Sequence, residues 1–414
     1  MLHKVIGLTT TSVFQLVLRT IVFIYLANIL SLTEIGYFTL TITIASIATN
    51  LISFGGYNLI MARAVNENDI HDFLNFEVKF YVINLAIFLF GFVVVHQLLD
   101  LGLPLVSSVK ILLGEIIQAG FLFILSSYFF ARNNTATVNI LRTVNTLFYV
   151  IMFLIYISVT DRSFIAWANL YLIASIMFFV YGVCHIMKGN VINFENDILS
   201  FITKYRIRIL DGVDFFVSSS ARAIFTASDK IIISTLLGYQ AVGIYSLAEK
   251  CILALNVPAA SYLSINEPGY YKQNSNIEKY KVCVKAISVI ATYFIFLYFV
   301  YEVFGLKLFI DLDFPERFYE PFVLISTMLL YILSTNYFNS YLHFLNGVGK
   351  VKARILITLL ALLVFASSSY FIRHLYGGFD LSTISIIFVV TQLVICGPWY
   401  LYISWKLCFY PKNI

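Results

Sequence analysis

The sequence contains little charge. Only 12% of its 414 residues are Asp, Glu, Lys or Arg, whereas 60% are hydrophobic, and the mean hydropathy is +0.88. Because soluble chains carry about 25% charged residues, this composition excludes a soluble globular domain, a disordered chain and a soluble DNA-binding protein. We therefore expect an integral membrane protein without a nucleic-acid partner, whose net charge of +5 concerns membrane orientation and lipid contacts.

Motifs for nucleotide and metal chemistry are also missing. The sequence has no Walker motif, no convincing Gly-rich dinucleotide loop and no zinc motif, so a nucleotide-driven pump is not expected. Any energy source would then be an H+ or Na+ gradient. Apart from such a coupling ion, we expect no cofactor and no bound metal. The five cysteines show no metal-ligand spacing, and we predict no disulfide. The external connections are too short for the catalytic loop of a membrane polymerase or glycosyltransferase, so we do not expect an enzyme.

Long hydrophobic runs make up most of the chain. A run of about 20 apolar residues can cross the hydrocarbon core as a helix, and these runs lack the period-two alternation of barrel strands. We therefore predict an all-α polytopic membrane protein with about twelve transmembrane helices, and we expect the first to be retained because it lacks a clear small-residue cleavage site. The spans are predicted near residues 6–30, 35–61, 78–99, 109–130, 138–160, 164–187, 211–236, 241–263, 282–305, 320–345, 354–376 and 383–408.

Basic residues indicate how these spans are oriented. An even number of helices places both termini on one side of the membrane. Seventeen of the 27 Lys and Arg residues lie in connections on that side, against five on the other side and five within spans. Because basic residues concentrate in cytoplasmic loops, we predict that both termini are cytoplasmic.

An internal repeat divides the chain into halves. At an offset of 207 residues, residues 35–40 align with residues 242–247 in chemically similar pairs. Two copies with the same orientation can rock against each other, which favours a transporter. The predicted organisation is an N-terminal six-helix bundle at 1–190, a cytoplasmic linker at 191–210 and a C-terminal six-helix bundle at 211–414.

Polar side chains follow one face of the seventh predicted span. Steps of three and four residues separate them, which is the period of a helix face. Intramembrane polar groups usually face the bundle interior or water, so this stripe predicts a cavity lining with Arg222 near the midplane. Its members are Asp211, Asp214, Ser218, Arg222, Thr226 and Asp229.

The first span carries a similar stripe that includes Gln15 and ends at Arg19. Arg19 and Arg222 are the leading candidates for an anion site, because a guanidinium binds phosphate oxygens in a bidentate geometry and stays charged when desolvated. Arg142 on the fifth span could extend this basic track or snorkel toward the cytoplasm, and Lys250 on the eighth span is a further candidate. The alternative is that the charges neutralise one another, for example Arg19 with a carboxylate on a neighbouring helix.

Three carboxylates within the spans are candidates for a coupling or ion-pair role. Asp229, Glu249 and Glu115 could exchange protons or bind a cation if transport is coupled to a gradient. The alternatives are that Asp229 pairs with Arg222, and that Glu115 is simply solvated near the external interface.

Short motifs in both halves resemble the polysaccharide-exporting flippases. In the first half these are residues 30–38, Phe54-Gly55-Gly56-Tyr57 and Arg63. In the second half, residues 229–233, then Gly238 and residues 242–248, look like the corresponding pattern in O-antigen flippases of the Wzx type. The likeness covers nearly the whole chain, and that family shares its fold with the multidrug and toxin extruders, so it implies a MATE-like fold of two six-helix bundles.

The resemblance also implies a function. Such a protein translocates an undecaprenyl-pyrophosphate-linked oligosaccharide, for lipopolysaccharide O-antigen or a related glycan, from the cytoplasmic to the periplasmic leaflet of the bacterial inner membrane by alternating access. Its implied partners are that lipid-linked substrate and membrane lipid, and a polysaccharide polymerase and a chain-length regulator are candidate protein partners. The alternative is a cation-coupled exporter of small amphipathic molecules. The residues carried over to a cationic lining are Arg19, Arg142, Arg222 and Lys250, beside the stripe residues Gln15, Ser218 and Thr226.

Overall fold

The described part of the chain is helical and contains no strand. A computed structural model describes residues 2–56, 60, 70–99, 102–131, 134–159, 161–187, 198–272, 275–305, 319–347, 351–376, 380–398, 401–402 and 405–406. Its helices are α1 (Leu2–Ile29), α2 (Leu32–Ser53), α3 (Ile70–Leu99), α4 (Leu105–Glu115), α5 (Phe121–Ala131), α6 (Thr135–Ser158), α7 (Phe164–Met187), α8 (Ile198–Leu237), α9 (Tyr239–Lys272), α10 (Asn276–Val300), α11 (Tyr319–Gly347), α12 (Val351–Tyr376) and α13 (Leu381–Val390). Three short π-helical segments follow α4, α10 and α13, at Ile116–Gly120, Tyr301–Gly305 and Thr391–Cys396.

Most of these helices can cross a membrane. Within the described ranges, nine helical stretches are long and apolar enough to do so, and two shorter apolar helices accompany them. Large apolar side chains such as Ile87, Phe90 and Leu98 of α3 lie exposed on the outside, where hydrocarbon is the natural solvent. The predicted all-α membrane fold is therefore confirmed, whereas the count of twelve spans and the cytoplasmic termini stay predictions.

The chain forms two compact units, Met1–Ala227 and Ser228–Ile414. The boundary falls inside α8, so the first three quarters of this 40-residue helix belong to the N-terminal unit. This helix begins at Ile198, within the range predicted as a linker, and continues without interruption to Leu237. The predicted division into two six-helix bundles stays a prediction.

An aromatic cluster holds the N-terminal unit together. In this unit α1 packs on α6, α4 packs on α7, and α6 packs on α7. Trp167 of α7 is fully buried and makes edge-to-face contacts with Phe38, Tyr149 and Tyr156 at centroid distances of 6.0, 5.6 and 5.5 Å. Edge-to-face pairs add about 0.5–1.5 kcal/mol each beyond the area they bury, so Tyr149 and its neighbour Tyr171 are held firmly in place.

A π-helical turn interrupts the span that contains α4 and α5. The segment Ile116–Gly120 lies between two regular helices and has the π-helical hydrogen-bond pattern, in which bonded residues are five apart. Tyr81 of α3 donates a hydrogen bond of 2.8 Å to the carbonyl oxygen of Ile116. A Cβ atom at position 120 would overlap the Tyr81 hydroxyl, so glycine is required for this close approach. The turn places Glu115 and Gln118 on the side that faces α6 and α7.

The helices of the C-terminal unit pack mainly on α11. This helix contacts α9, α10 and α13. At the start of α13, Asp380 is an N-cap whose Oδ1 accepts hydrogen bonds from the hydroxyl and the backbone N–H of Thr383 at 2.6 and 2.8 Å. These hydrogen bonds, first the one from the Thr383 side chain, hold the pKa of Asp380 below its usual range. The cap thus fixes where α13 begins.

Candidate functional site

Arg19, in the apolar stretch Val13–Ile29 of α1, is a half-buried cation that lies against an aromatic ring. Its guanidinium carbon is 5.6 Å from the ring centroid of Tyr149 on α6, which is within the range of a cation–π contact. The Nε atom is buried and has no hydrogen-bond partner among the described residues. No carboxylate in the described part of the chain forms an ion pair with Arg19.

A second unsatisfied donor lies one helical turn before Arg19. The Nε2 atom of Gln15 is buried and likewise has no partner within the described ranges. Residues four apart share one face of a helix, so both donors belong to the predicted stripe of α1. The Oδ1 atom of Asn139 on α6, a helix that α1 contacts, is also buried without a partner in this part of the structure. These three buried atoms therefore leave hydrogen-bonding capacity unused in the N-terminal unit.

Beside Arg19, a buried polar chain runs through the N-terminal unit. Tyr171 of α7 donates a hydrogen bond to the carboxylate of Glu115 and lies 3.4 Å from Oε1 of Gln118. Gln118 in turn donates its Nε2 to Oδ1 of Asn145 on α6. The rings of Tyr149 and Tyr171 meet edge to face at 5.9 Å, which connects this chain to the ring beneath Arg19.

The remaining cationic candidates lie on three helices. Arg142 of α6 and Arg222 of α8 are both half-buried, and so is Lys250 of α9. Thr226 of α8 is exposed, and its hydroxyl donates to the carbonyl oxygen of Arg222 at 3.0 Å. The side chain of Ser218 lies outside the described residues. The roles predicted for these residues as a substrate lining stay predictions.

The structure brings Asp229 and Glu249 together around a lysine. Lys230 Nζ lies 2.6 Å from Glu249 Oε1 and 3.9 Å from Asp229 Oδ1. Asp229 Oδ2 accepts a hydrogen bond of 2.7 Å from the Tyr245 hydroxyl, and its Oδ1 accepts one of 2.7 Å from the Lys230 backbone N–H. All four residues are buried. Two acids and one base therefore form an ion-pair cluster inside the C-terminal unit.

Sequence reasoning did not single out Lys230 as part of this cluster. Because it follows Asp229 directly, its Cβ points in a different direction, which argued against a shared stripe. The four-carbon stem of lysine is long enough to bring the ammonium group back to both carboxylates. The signal in the sequence was the acid–base pair Asp229-Lys230 within an otherwise apolar helix.

A second buried ion pair was also not predicted. Arg208 of α8 pairs with Glu77 of α3, and its Nη1 and Nη2 atoms donate to the carbonyl oxygens of Phe54 and Ser53 at 3.1 and 3.2 Å. Those carbonyls belong to the end of α2, where Phe54 adopts a left-handed backbone conformation with φ of 46°. A Cβ atom at Gly212 would clash with this guanidinium. We name Arg208, Glu77 and these two carbonyl groups the α2–α8 clasp.

From the distribution of basic residues, Arg208 is expected to be one more cytoplasmic loop residue. Both Arg208 and Glu77 are only 2% exposed, so the pair is a packed part of the N-terminal unit. Within the ranges that the structure describes, no group of three or more His, Cys, Asp and Glu side chains is placed to hold a metal ion.

Solved structures with the same architecture are transporters. A multidrug resistance MATE family transporter of the MOP superfamily in an inward-facing conformation is 13% identical, with a TM-score of 0.67 over 95% of this chain and 99% of that chain. A MOP superfamily transporter from Pyrococcus furiosus is 12% identical, with a TM-score of 0.68 over 98% and 96%. The MATE multidrug transporter DinF-BH is 14% identical, with a TM-score of 0.67 over 99% and 94%. At such identities the likeness shows the fold, and the predicted MATE-like fold is confirmed.

Sequence comparison identifies the family. No curated protein matches the chain significantly. The profile of the family described as polysaccharide biosynthesis protein matches residues 1–265, which is well over half of the chain. The protein therefore belongs to the polysaccharide biosynthesis protein family and is built on the fold of the MOP superfamily transporters.

Proposed function

We propose that this protein is a flippase of the bacterial inner membrane and not an enzyme. It moves an undecaprenyl-pyrophosphate-linked oligosaccharide, such as an O-antigen repeat unit, from the cytoplasmic to the periplasmic leaflet by alternating access. Membership of the polysaccharide biosynthesis family and a transporter fold support this proposal. The observation that carries it is Arg19, a half-buried cation whose buried Nε has no protein acceptor in the described structure.

The environment of Arg19 favours an anionic ligand. A charged side chain near the bilayer interior costs at least about 2.5–3.5 kcal/mol and is retained for a function. The Tyr149 ring stabilises the cation but accepts no conventional hydrogen bond, so the Nε donor and the nearby Gln15 amide stay unsatisfied. Leaving a buried donor unsatisfied costs about 1–3 kcal/mol. A diphosphate supplies acceptor oxygens to both groups and removes that cost.

The proposed mechanism is binding and release without covalent chemistry. The pyrophosphate binds at Arg19 and Gln15, and the half-buried Arg142 and Arg222 are further cationic contacts for phosphate or sugar. The sugars bind to polar side chains while the polyprenyl tail stays in lipid, so the hydrophilic cargo avoids hydrocarbon. Transport is driven by an H+ or Na+ gradient or by the consumption of product outside.

Deletion of the gene in its host tests the proposal. We expect single oligosaccharide units to accumulate on undecaprenyl pyrophosphate, measured by mass spectrometry of lipid extracts, and surface glycan to disappear. A plasmid copy of the wild-type gene restores glycan. Arg19→Ala fails to restore it at equal membrane abundance, and Arg19→Lys restores it in part because the charge is kept but the planar donor fork is lost. Unchanged lipid-linked intermediates in the deletion strain would contradict the proposal.

A second candidate function is export of small amphipathic cations. The observation that favours it is the buried cluster in which Asp229 and Glu249 share one lysine, because acids suit cationic cargo or a coupling cation. The same deletion strain separates the two functions. Increased sensitivity to cationic dyes with normal surface glycan supports drug export and contradicts the flippase.

A further inference from the structure

A pocket of about 500 Å³ lies at one end of the N-terminal unit. The N-terminal ends of α2, α4 and α7 line it, through residues such as Glu34, Ser107 and Phe164. In the predicted topology the connections before these three helices lie on the external side of the membrane. Sites for small molecules have volumes of about 300–1,000 Å³, so this pocket is large enough for a ligand. Neither Arg19 nor Gln15 lines it, so it is distinct from the proposed anion site.

One of the three helix ends at this pocket has no side-chain cap. At α2 a capping box is present, and at the start of α7 the Ser163 hydroxyl oxygen accepts a hydrogen bond of 3.3 Å from the Ala166 N–H. The N-cap of α4 is Pro104, whose side chain accepts no hydrogen bond. The first hydrogen bond of α4 joins the Ser108 N–H to the Pro104 carbonyl oxygen at 2.9 Å, so the N–H groups of residues 105–107 have no acceptor in the helix. These groups form the positive end of the helix dipole.

Ser107 adds a side-chain donor at the same place. It lines the pocket and is only 2% exposed, and its hydroxyl has no hydrogen-bond partner within the described ranges. Ser127 and Ser175, by contrast, donate to carbonyl oxygens one helical turn earlier at 2.7 and 2.9 Å, but Ser107 lies in a first turn and has no preceding turn. A buried hydroxyl without a partner is destabilising, so it indicates a ligand with acceptor atoms. Phosphate oxygens accept from hydroxyl groups and from helix N-termini.

Glu34 gives the pocket a negative charge. Its Oε2 atom accepts hydrogen bonds from the backbone N–H and the hydroxyl of Ser31, both at 2.9 Å. In the described part of the chain, Oε1 accepts no hydrogen bond and Glu34 forms no ion pair. The ring of Tyr37 also lines the pocket and contacts the ring of Phe164 at a centroid distance of 6.4 Å. A carboxylate beside an aromatic ring is a favourable environment for an ammonium group.

The pocket also has an apolar edge. Val106 and Ile165 line it and are exposed on the outside of the unit, where acyl chains are the natural neighbours. None of the described residues that line the pocket is basic. Two basic side chains at this end of the unit make other contacts, since Lys110 donates to an asparagine of α7 at 2.6 Å and Arg162 donates to a carbonyl oxygen of α6 at 2.9 Å. The pocket thus offers donors for a phosphate, a carboxylate for a cation and an apolar surface for hydrocarbon.

We propose that this pocket binds the headgroup of phosphatidylethanolamine from the external leaflet. The phosphate accepts hydrogen bonds from the uncapped N–H groups of α4 and from the Ser107 hydroxyl. The ammonium group donates to the Glu34 carboxylate and lies against the Tyr37 ring, while the acyl chains follow Val106 and Ile165. Phosphatidylcholine has no N–H to donate, and phosphatidylglycerol has no positive charge, so each lacks one of these interactions. The site does not depend on the identity of the transported substrate.

Native mass spectrometry of the purified, delipidated full-length protein tests this site. Titrations with phosphatidylethanolamine, phosphatidylcholine and phosphatidylglycerol of identical acyl chains give one apparent Kd for each lipid. We expect the wild type to bind phosphatidylethanolamine about fivefold tighter than the other two lipids, as one charge-assisted hydrogen bond at a half-buried position provides. Soluble glycerophosphoethanolamine should not compete at equal concentration, because it lacks the acyl chains.

Two variants separate the two ends of the headgroup. Glu34→Gln keeps the capping box, which is made by Glu or Gln, but removes the charge. It should weaken binding of phosphatidylethanolamine about fivefold, to the affinity of phosphatidylcholine. Ser107→Ala removes a donor to the phosphate that all three lipids share, so it should weaken all three about threefold without changing their order. The matched control Glu278→Gln removes a carboxylate at the same position after a serine N-cap, at the start of α10, and should leave every Kd unchanged.

Four results would overturn the proposal. Equal Kd values for the three lipids in the wild type would mean general contact with lipid, and a preference for phosphatidylglycerol would assign the pocket to an anion alone. Competition by glycerophosphoethanolamine as strong as that of the intact lipid would make the ligand a soluble phosphoethanolamine group. A preference for phosphatidylethanolamine that persists in Glu34→Gln, with thermal unfolding equal to that of the wild type, would place the lipid elsewhere.

Discussion

Breaking the α2–α8 clasp should destabilise the N-terminal unit strongly. Arg208 and Glu77 are both 2% exposed, and the arginine also satisfies two carbonyl groups at the end of α2. Removing one partner of a buried ion pair costs about 3–5 kcal/mol, because the other charge stays buried without compensation. Arg208→Met in addition leaves two carbonyl groups without a donor, at about 1 kcal/mol each or more. We therefore expect about 5 kcal/mol for Arg208→Met and about 3 kcal/mol for Glu77→Leu.

Thermal unfolding in detergent measures these costs. In a unit of about this size, 1 kcal/mol corresponds to roughly 2–4 °C in Tm, so Arg208→Met should lower the Tm by at least about 10 °C. Circular dichroism at a helix band or size exclusion after heating reports the transition. The matched control is Arg206→Met, which removes a neighbouring arginine that is exposed. We expect that control within about 2 °C of the wild type, since isolated exposed charges contribute about 0–1 kcal/mol.

The double variant identifies the ion pair as the cause. Glu77→Leu with Arg208→Met replaces the pair by apolar groups, which is often neutral for a buried pair. It should recover about half of the loss of Arg208→Met, and the two unsatisfied carbonyl groups account for the remainder. If each single variant unfolds within about 3 °C of the wild type, or if the two losses simply add, the clasp does not stabilise this unit as we argue.

Three further predictions concern other parts of the chain. Arg222→Ala should reduce delivery of glycan to the surface at least tenfold at equal membrane abundance, and normal glycan would remove this residue from the anion site. Gly120→Ala should lower the free energy of unfolding by about 1–3 kcal/mol because its Cβ overlaps a buried tyrosine, whereas Gly91→Ala, with open space around it, should not lower it. Asp380→Ala should cost about 1 kcal/mol by loss of an N-cap and Asp380→Asn much less, measured by thermal unfolding at pH 7. Since the pKa of Asp380 is lowered in the folded protein, its contribution is complete above about pH 4 and is lost as the pH falls through that lowered value, so the Ala variant and the wild type should converge in acid.

The sequence predicted the fold class because hydrocarbon imposes a simple rule. An apolar run of about 20 residues must become a helix in lipid, so the position of each run gives the position of a helix to within a few residues. The seventh span shows where that rule ends. Its apolar part was predicted at residues 211–236, but the helix begins at Ile198, because the charged residues before the membrane continue the same helix. The length of an apolar run predicts which residues lie in lipid, but it does not predict the residue at which the helix begins.

Helical phase predicted which polar residues share a face but not which of them meet. Gln15 and Arg19 do lie one turn apart with unsatisfied donors, as expected for a stripe. The partner of Glu115 is a tyrosine hydroxyl on a helix 56 residues away, and no pattern within one helix contains that information. Contacts between helices depend on which helices pack together and on side-chain rotamers, and both are set by the assembled unit.

Equivalent positions of the predicted internal repeat carry different polar residues. At the offset of 207 residues, Asp229, Lys230 and Glu249 correspond to Val22, Phe23 and Ile42, and Tyr245 corresponds to Phe38. In the N-terminal unit these equivalent positions are apolar, and Phe23 stacks on Phe38 at 6.4 Å.

In the C-terminal unit the added hydroxyl of Tyr245 donates to Asp229, and the acids are balanced by Lys230. In the stripe, Arg19 corresponds to Thr226 and Gln15 to Arg222, so each copy of the predicted repeat carries one arginine at a different position. The N-terminal unit thus contains Arg19 without a carboxylate partner in the described structure, whereas the C-terminal unit contains a balanced ion-pair cluster. We therefore expect substitutions around Arg19 to change substrate binding, and substitutions in the Lys230 cluster to change stability first.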